Sequence, residues 1–157
     1  MEILAKGHLT PSTPEAGALL YVTDCVSDSQ ESLEYACKLA EKHGVHVELL
    51  HVIDPERAPS SPDAHIGAQY SIEALARSLR TIKSNARALL LFGRAEDVIA
   101  KRAAAIKATL VAFQLDGSTR DSSKTTLAHR LTRRCNCPVL TFSRFSGAAM
   151  QVIDQRR

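Results

Sequence analysis

The sequence predicts an α/β fold: a five-stranded parallel sheet of order 3-2-1-4-5 with helices on both faces. Two observations carry the prediction. Apolar runs of strand length alternate with stretches whose apolar residues recur at helical intervals. Most of those runs are apolar on both faces, the mark of a sheet covered on each side. Right-handed crossovers then leave few ways to wind the chain, and the order 3-2-1-4-5 sets the carboxyl ends of the first and fourth strands side by side. A chain of 157 residues makes one such domain with a real core.

Residues 1–17 carry Gly7, Thr10-Pro11, Thr13-Pro14 and Gly17, too many breakers for a helix. They read as an N-terminal extension with a short strand at Ile3 to Ala5. The first strand is Ala18 to Val22, closed by Thr23-Asp24. Ser27 with Gln30 three residues on has capping-box spacing, and the helix it starts shows Leu33, Ala36, Cys37 and Ala40 on one face. Gly44, after Lys42-His43, stops it. The second strand runs from Val45 to Ile53 and ends in Asp54-Pro55. Glu56 to Gly67, with Pro59, Pro62 and several serines, reads as a loop long enough to act as a flap. Ile72, Leu75, Ala76, Leu79 and Ile82 mark the next helix. Ala88 to Phe92 is the third strand, and Val98, Ile99, Ala103 and Ile106 trace another helical face. Thr109 to Phe113 is the fourth strand. A polar loop from Gln114 to Thr125 follows, then a helix with Leu127, Ala128 and Leu131 on one face, and Pro138 to Phe142 as the fifth strand. The α/β domain thus spans residues 18–143. Residues 144–157 form a tail whose apolar patch, Ala148 to Ile153, has no obvious partner within the chain.

Bulk properties exclude several functions. A formal charge of +3 is too small to argue for nucleic acid or an anionic membrane. Aromatics at 4% with no Trp leave no stacking platform for single strands, so His129, Arg130, Arg133 and Arg134 read as a solvated helix face near the C-terminal dipole. No apolar run approaches the ~20 residues of a membrane span, and Met1 to Leu9 lacks a sustained signal region. The cytoplasm is the expected compartment. Cys25, Cys37, Cys135 and Cys137 are irregularly spaced and read as reduced thiols. Cys135-Asn-Cys137 with His129 lacks the second ligand pair of a closed metal site, and His43, His46 and His51 are spread over a helix end and a strand. No nucleophile, base and orienter occur in the order a hydrolase needs. Cys25 is the best lone candidate for reactivity because a helix N-terminus follows it; an inert thiol is the plainer reading.

The loop from Gln114 to Thr125 is the candidate functional stretch. It holds Gly117, short hydroxyl residues, Arg120 and Lys124. Hydroxyls, backbone N–H groups and cations ahead of a helix suit an anion, although composition alone more often describes a solvated connector. Its place in the fold favours the former. Ligands of open α/β sheets bind in the crevice where the strand order reverses, and there Asp24 and this loop would face each other.

With these pieces in order, the chain resembles the universal stress protein family over roughly residues 18–143. The resemblance is carried by Leu19-Leu-Tyr-Val-Thr-Asp24, by Leu49-Leu-His-Val-Ile-Asp54, by Gly93 before a helix, and by Leu127-Ala-His-Arg-Leu131 leading to Cys137-Pro-Val-Leu140. It implies a Rossmann-like fold and, by likeness to the nucleotide-binding members, an adenine nucleotide (ATP or AMP) with Mg as an accompanying ion. Asp24 and Val52 sit where those members contact the base. Ribose and phosphates would fall to Gln114, Gly117, Ser118, Thr125 and Thr126, with Thr126 also capping the following helix. The glycine motif is degenerate: Gln114 stands for its first glycine, Gly117 keeps the second, Thr125-Thr126 stand for Gly-Ser, and the spacer is shorter than the family's. Gln114 and Thr125 lack the close backbone approach that glycine permits. The resemblance therefore implies regulatory binding without turnover. Its alternative is a dimeric interaction module of the same family, involved in stress response and binding no nucleotide. Slow nucleotide hydrolysis would need a base or a metal ligand, for which Asp116 and Asp121 are the carboxylates nearest besides Asp24. A homodimer is expected through the fifth strand as an open edge and through the apolar tail.

Overall fold

In chain order the elements are β1 (Glu2–Leu4), β2 (Ala18–Val22), α1 (Gln30–Lys42), β3 (His46–Ile53), α2 (Pro62–Ile82), β4 (Arg87–Phe92), α3 (Ala95–Ala105), β5 (Ala108–Leu115), α4 (Ser122–Arg134), β6 (Val139–Ser143) and β7 (Gln151–Gln155). Strands and helices alternate from β2 to β6, with a further strand at either side. The computed structural model describes residues 2–4, 17–25, 30–56, 62–82, 86–115, 122–143 and 151–155. All strands form one sheet of order β1-β4-β3-β2-β5-β6-β7. Its five inner strands are parallel and lie in the predicted order 3-2-1-4-5. β1 adds to β4 and β7 adds to β6, both antiparallel. The sheet is therefore two strands wider than the sequence suggested. The tail that lacked a partner pairs with the fifth parallel strand, Phe142 lying opposite Val152, so β6 is not an edge.

The strand alternation sorts the core onto two faces. Leu19 and Tyr21 of β2, Val47 and Leu49 of β3 and Ala112 of β5 pack with Leu33, Ala36 and Ala40 of α1 and Ile72, Ala76 and Leu79 of α2. Leu20, Leu50, Leu89, Val111 and Phe113 face the other way, toward Ile99 of α3 and Ala128 and Leu131 of α4. Because both sets are buried, the strands read as continuous apolar runs. The ring of Phe142 stacks at 6.1 Å on Tyr21 and meets Tyr35 edge-on at 5.4 Å, which ties α1 to two strands.

Several helix boundaries differ from the sequence reading. α1 ends as expected: Gly44 takes φ 66°, and the Val45 N–H reaches back to the Ala40 carbonyl at 2.9 Å, a Schellman closure that a Cβ would strain. The Ser27 half of the expected capping box lies outside the described residues. α2 begins at Pro62, well inside the stretch assigned to a flap. Pro62 starts the helix where it looked like a breaker, since proline at a first helical position gives up no needed N–H, and Asp63 follows in the first turn. At the other end Ile82 stays 42% exposed, outside the apolar stripe. β5 runs on to Leu115 and α4 starts at Ser122, so the polar connector shrinks to residues 116–121.

Candidate functional site at the reversal of strand order

β2 lies between β3 and β5, and the chain leaves it in a tightly held turn. The Thr23 N–H donates to the Leu50 carbonyl at 2.9 Å. Its own carbonyl accepts from His51 Nδ1 at 2.7 Å, which fixes the imidazole proton on that nitrogen. The Thr23 hydroxyl oxygen accepts from the Cys25 N–H at 2.9 Å. Cys25 adopts φ 63°, a left-handed conformation uncommon for a residue other than glycine. Half-buried Asp24 is thus carried on backbone anchored on both sides.

The other expected residues are distributed as follows. Val52 is half-buried on β3 opposite Leu91 and packs with the α3/α4 cluster. Gln114 is buried in β5 opposite Phe142 rather than in a loop. Its Oε1 accepts from the Ser32 hydroxyl of α1 at 2.8 Å, so its amide is engaged on the α1 face, across the sheet from Val52. Gly117 and Ser118 lie outside the described residues, as do Asp116 and Asp121. Thr125 belongs to α4, its side chain outside the described set. Thr126 is exposed one turn into α4; it does not cap the helix, because α4 opens four residues earlier.

A pocket that the sequence did not single out opens beside this junction. Asp54 and Glu56 after β3, Arg94, Ala95 and Glu96 at the start of α3, and Thr126, Leu127 and Arg130 of α4 enclose about 80 Å³, room for several waters at ~10–15 Å³ each. Asp54 is buried and accepts the Glu56 N–H at 3.0 Å. Gly93 leads into α3 at φ 142°, with Val98 so close that a Cβ would fall 2.9 Å from its Cγ2. Only glycine brings Arg94 to the pocket on that path. Arg130 sits 3.5 Å from Glu96, and Arg134 3.3 Å from the same carboxylate while also pairing with Asp97. The visible signal was the pair of strand endings, Asp54-Pro55 and Gly93-Arg94. Each reads as a breaker until Asp54 and Arg94 are seen to line one pocket.

The residues present fit an adenine nucleotide in part. The Arg94 and Arg130 guanidinium groups suit phosphate, the carboxylates can accept ribose hydroxyls, and Leu127 supplies an apolar wall. Against this, three carboxylates line the pocket beside two cations, and Glu96 shares Arg130. Among the described residues no group of three or more side chains is arranged to hold a metal ion. Nor, among them, is any helix long and apolar enough to cross a membrane.

A doubly wound α/β sheet with its crevice where the strand order reverses defines the class of protein. The chain belongs to the universal stress protein family, whose family model matches residues 17–143. No curated protein matches the sequence. Among solved structures, the chain is similar to the universal stress protein from Archaeoglobus fulgidus in complex with dAMP. The two share 19% identity over 82% of this chain and 98% of that one, with a TM-score of 0.65. It is also similar to UspA from Lactobacillus plantarum, at 16% identity over 80% and 96% of the two chains and a TM-score of 0.63. A universal stress protein in complex with cAMP is 15% identical over 80% and 95%, with a TM-score of 0.57. At these identities the likeness is one of fold.

Proposed function

We propose that this chain is a regulatory domain that binds an adenine nucleotide, ATP or AMP, in a degenerate site at the reversal of strand order, without turning it over. The observation that carries the reading is the junction itself. Asp24 follows β2 on anchored backbone, the neighbouring β3 ends in Val52 and Ile53 with Asp54 just beyond, and a pocket with two guanidinium groups opens between the end of β3, α3 and α4. Relatives of the same fold hold dAMP and cAMP, which supports adenine as the base. In this reading Asp24 and Val52 hold the base, while Gly117, Ser118, Thr125, Thr126 and the backbone of Gln114 hold ribose and phosphates. Arg94 adds a phosphate contact, and Mg accompanies the ligand to offset the pocket's carboxylates. None of the four cysteines is in a disulfide, in keeping with a cytoplasmic protein.

Isothermal titration with ATP and AMP, with and without Mg, tests this. Saturable heat is expected, and Arg94→Gln should weaken ATP about tenfold, the scale of one charged hydrogen bond. No heat up to millimolar ligand retires the nucleotide reading.

A second reading, a dimeric interaction module of the same family, is favoured by the Gln114 amide already bound to Ser32 and by Glu96 occupying Arg130. Silent calorimetry together with a persistent dimer would select it.

A further inference from the structure

The connector between α4 and β6 places two thiols against each other. Its ends are fixed: the Cys135 N–H donates to the Leu131 carbonyl at 2.8 Å, and the Val111 N–H donates to the Pro138 carbonyl at 3.0 Å. Between them the chain bends across Asn136 and Cys137. Alpha carbons two residues apart in a bent chain fall within the ~4.4–6.8 Å that a disulfide spans, given steps of about 3.8 Å. The side chains of Cys135 and Cys137 lie on the same apolar cluster, within hydrogen-bonding reach of each other. Cys135 is buried, and half-buried Cys137 packs beside it on the same apolar cluster. Cys37, by contrast, is buried in the core on the opposite face of the sheet.

We propose that Cys135 and Cys137 are a redox-active dithiol that closes to an intrachain disulfide by exchange with a small-molecule disulfide. The half-buried Cys137 sulfur, as thiolate, attacks one sulfur of the small disulfide. A protein–thiol mixed disulfide forms and the first small thiolate leaves. The Cys135 thiolate then attacks the Cys137 sulfur, the intrachain bond forms and the second small thiolate leaves. The two protons given up by the protein thiols are taken by the two leaving thiolates, so two electrons pass from the protein to the small disulfide. The hydrogen bond with Cys135, and burial after it, hold the Cys137 thiol protonated well above the usual thiol range, which makes the first attack slow near neutral pH. Once the mixed disulfide exists, the resolving sulfur is already in contact, so closure outruns release. A bond between cysteines with a single residue between them is strained, and strained disulfides are the easily reduced ones. The pair is thus suited to a reversible role, at the end of the helix whose other turns carry Thr126, Leu127 and Arg130 to the pocket.

The test uses the full chain incubated with excess oxidised glutathione, quenched in acid, alkylated under denaturing conditions and mapped by peptide mass. Cys135 and Cys137 should lose alkylation together, with no glutathione retained, while Cys37 stays alkylated. Dithiothreitol should restore both. Cys135→Ala should instead trap glutathione on Cys137 as a lasting adduct. The wild-type map needs no variant to fold, and three results overturn the proposal: a persistent adduct on Cys137 with Cys135 still alkylated, chains linked in pairs through either cysteine, or full alkylation of both in the folded chain under conditions that join the same two cysteines in the unfolded chain.

Discussion

Glu48 is a charged residue in apolar surroundings. It sits in the apolar run of β3 with its side chain 2% exposed, and Arg102 of α3 donates to it from Nε at 3.3 Å and from Nη2 at 2.5 Å. Two parallel bonds from a planar guanidinium satisfy a carboxylate that could not otherwise enter the core. Removing one partner leaves the other charge beneath α3. Glu48→Ala should destabilise the chain by about 3 kcal/mol, the low end for a broken buried pair because the partly exposed Arg102 can turn toward water. The double variant Glu48→Leu with Arg102→Met should recover most of the loss. Urea denaturation of the three proteins measures this, and equal midpoints for the single and double variants would dispose of the pairing argument.

Among elements, α3 and α4 are joined at the surface by charge as well as beneath it by Ile99 and Leu131. The acidic first turn of α3 suits its N-terminal dipole and also receives Arg130 and Arg134 of α4. The hydrogen bond from Arg134 holds the Asp97 carboxyl below its usual range. A group depressed in the folded state contributes stability that is present above its unfolded pKa, about 3.9, and is lost as the pH falls through its folded value. The effect therefore belongs to the window below about pH 4. In an NMR titration the Asp97 carboxyl should titrate lower than a free aspartate. Arg134→Gln or ~1 M salt should move it back, since exposed pairs are screened. An unchanged midpoint in the variant would assign the depression elsewhere. The arginines read from sequence as a solvated basic face are thus partly spent on a neighbouring helix.

For the whole molecule, the decisive contact is β7 on β6. Five residues of β7 pair along β6, so the edge on which the expected dimer was to form is covered by the chain itself, and the outermost strand on that side is β7. A homodimer, if retained, pairs through β7. Light scattering should then give the mass of two chains for the full protein, while a chain ending at Ser143 should form larger species because a parallel strand's N–H and C=O groups are laid open. The mass of one chain for the full protein would remove the dimer, and identical profiles for both would show that β7 protects nothing. Much of this molecule was legible in the sequence because strand and helix periodicities are local: the five parallel runs, the stripe Leu33, Ala36, Cys37 and Ala40, and the stop at Gly44 all follow from neighbours a few residues apart. Right-handed crossovers turned those pieces into one strand order, and that order indicated where a site would lie. Only the tertiary structure decided the rest, since it depends on groups far apart in the chain. Gln114 became a buried strand residue through Ser32, 82 positions away; Pro62 became a helix start; Arg94 and Arg130 met across a pocket. The tail found β6 because backbone pairing needs an open edge, and no pattern of side chains along a strand tells which edge is open.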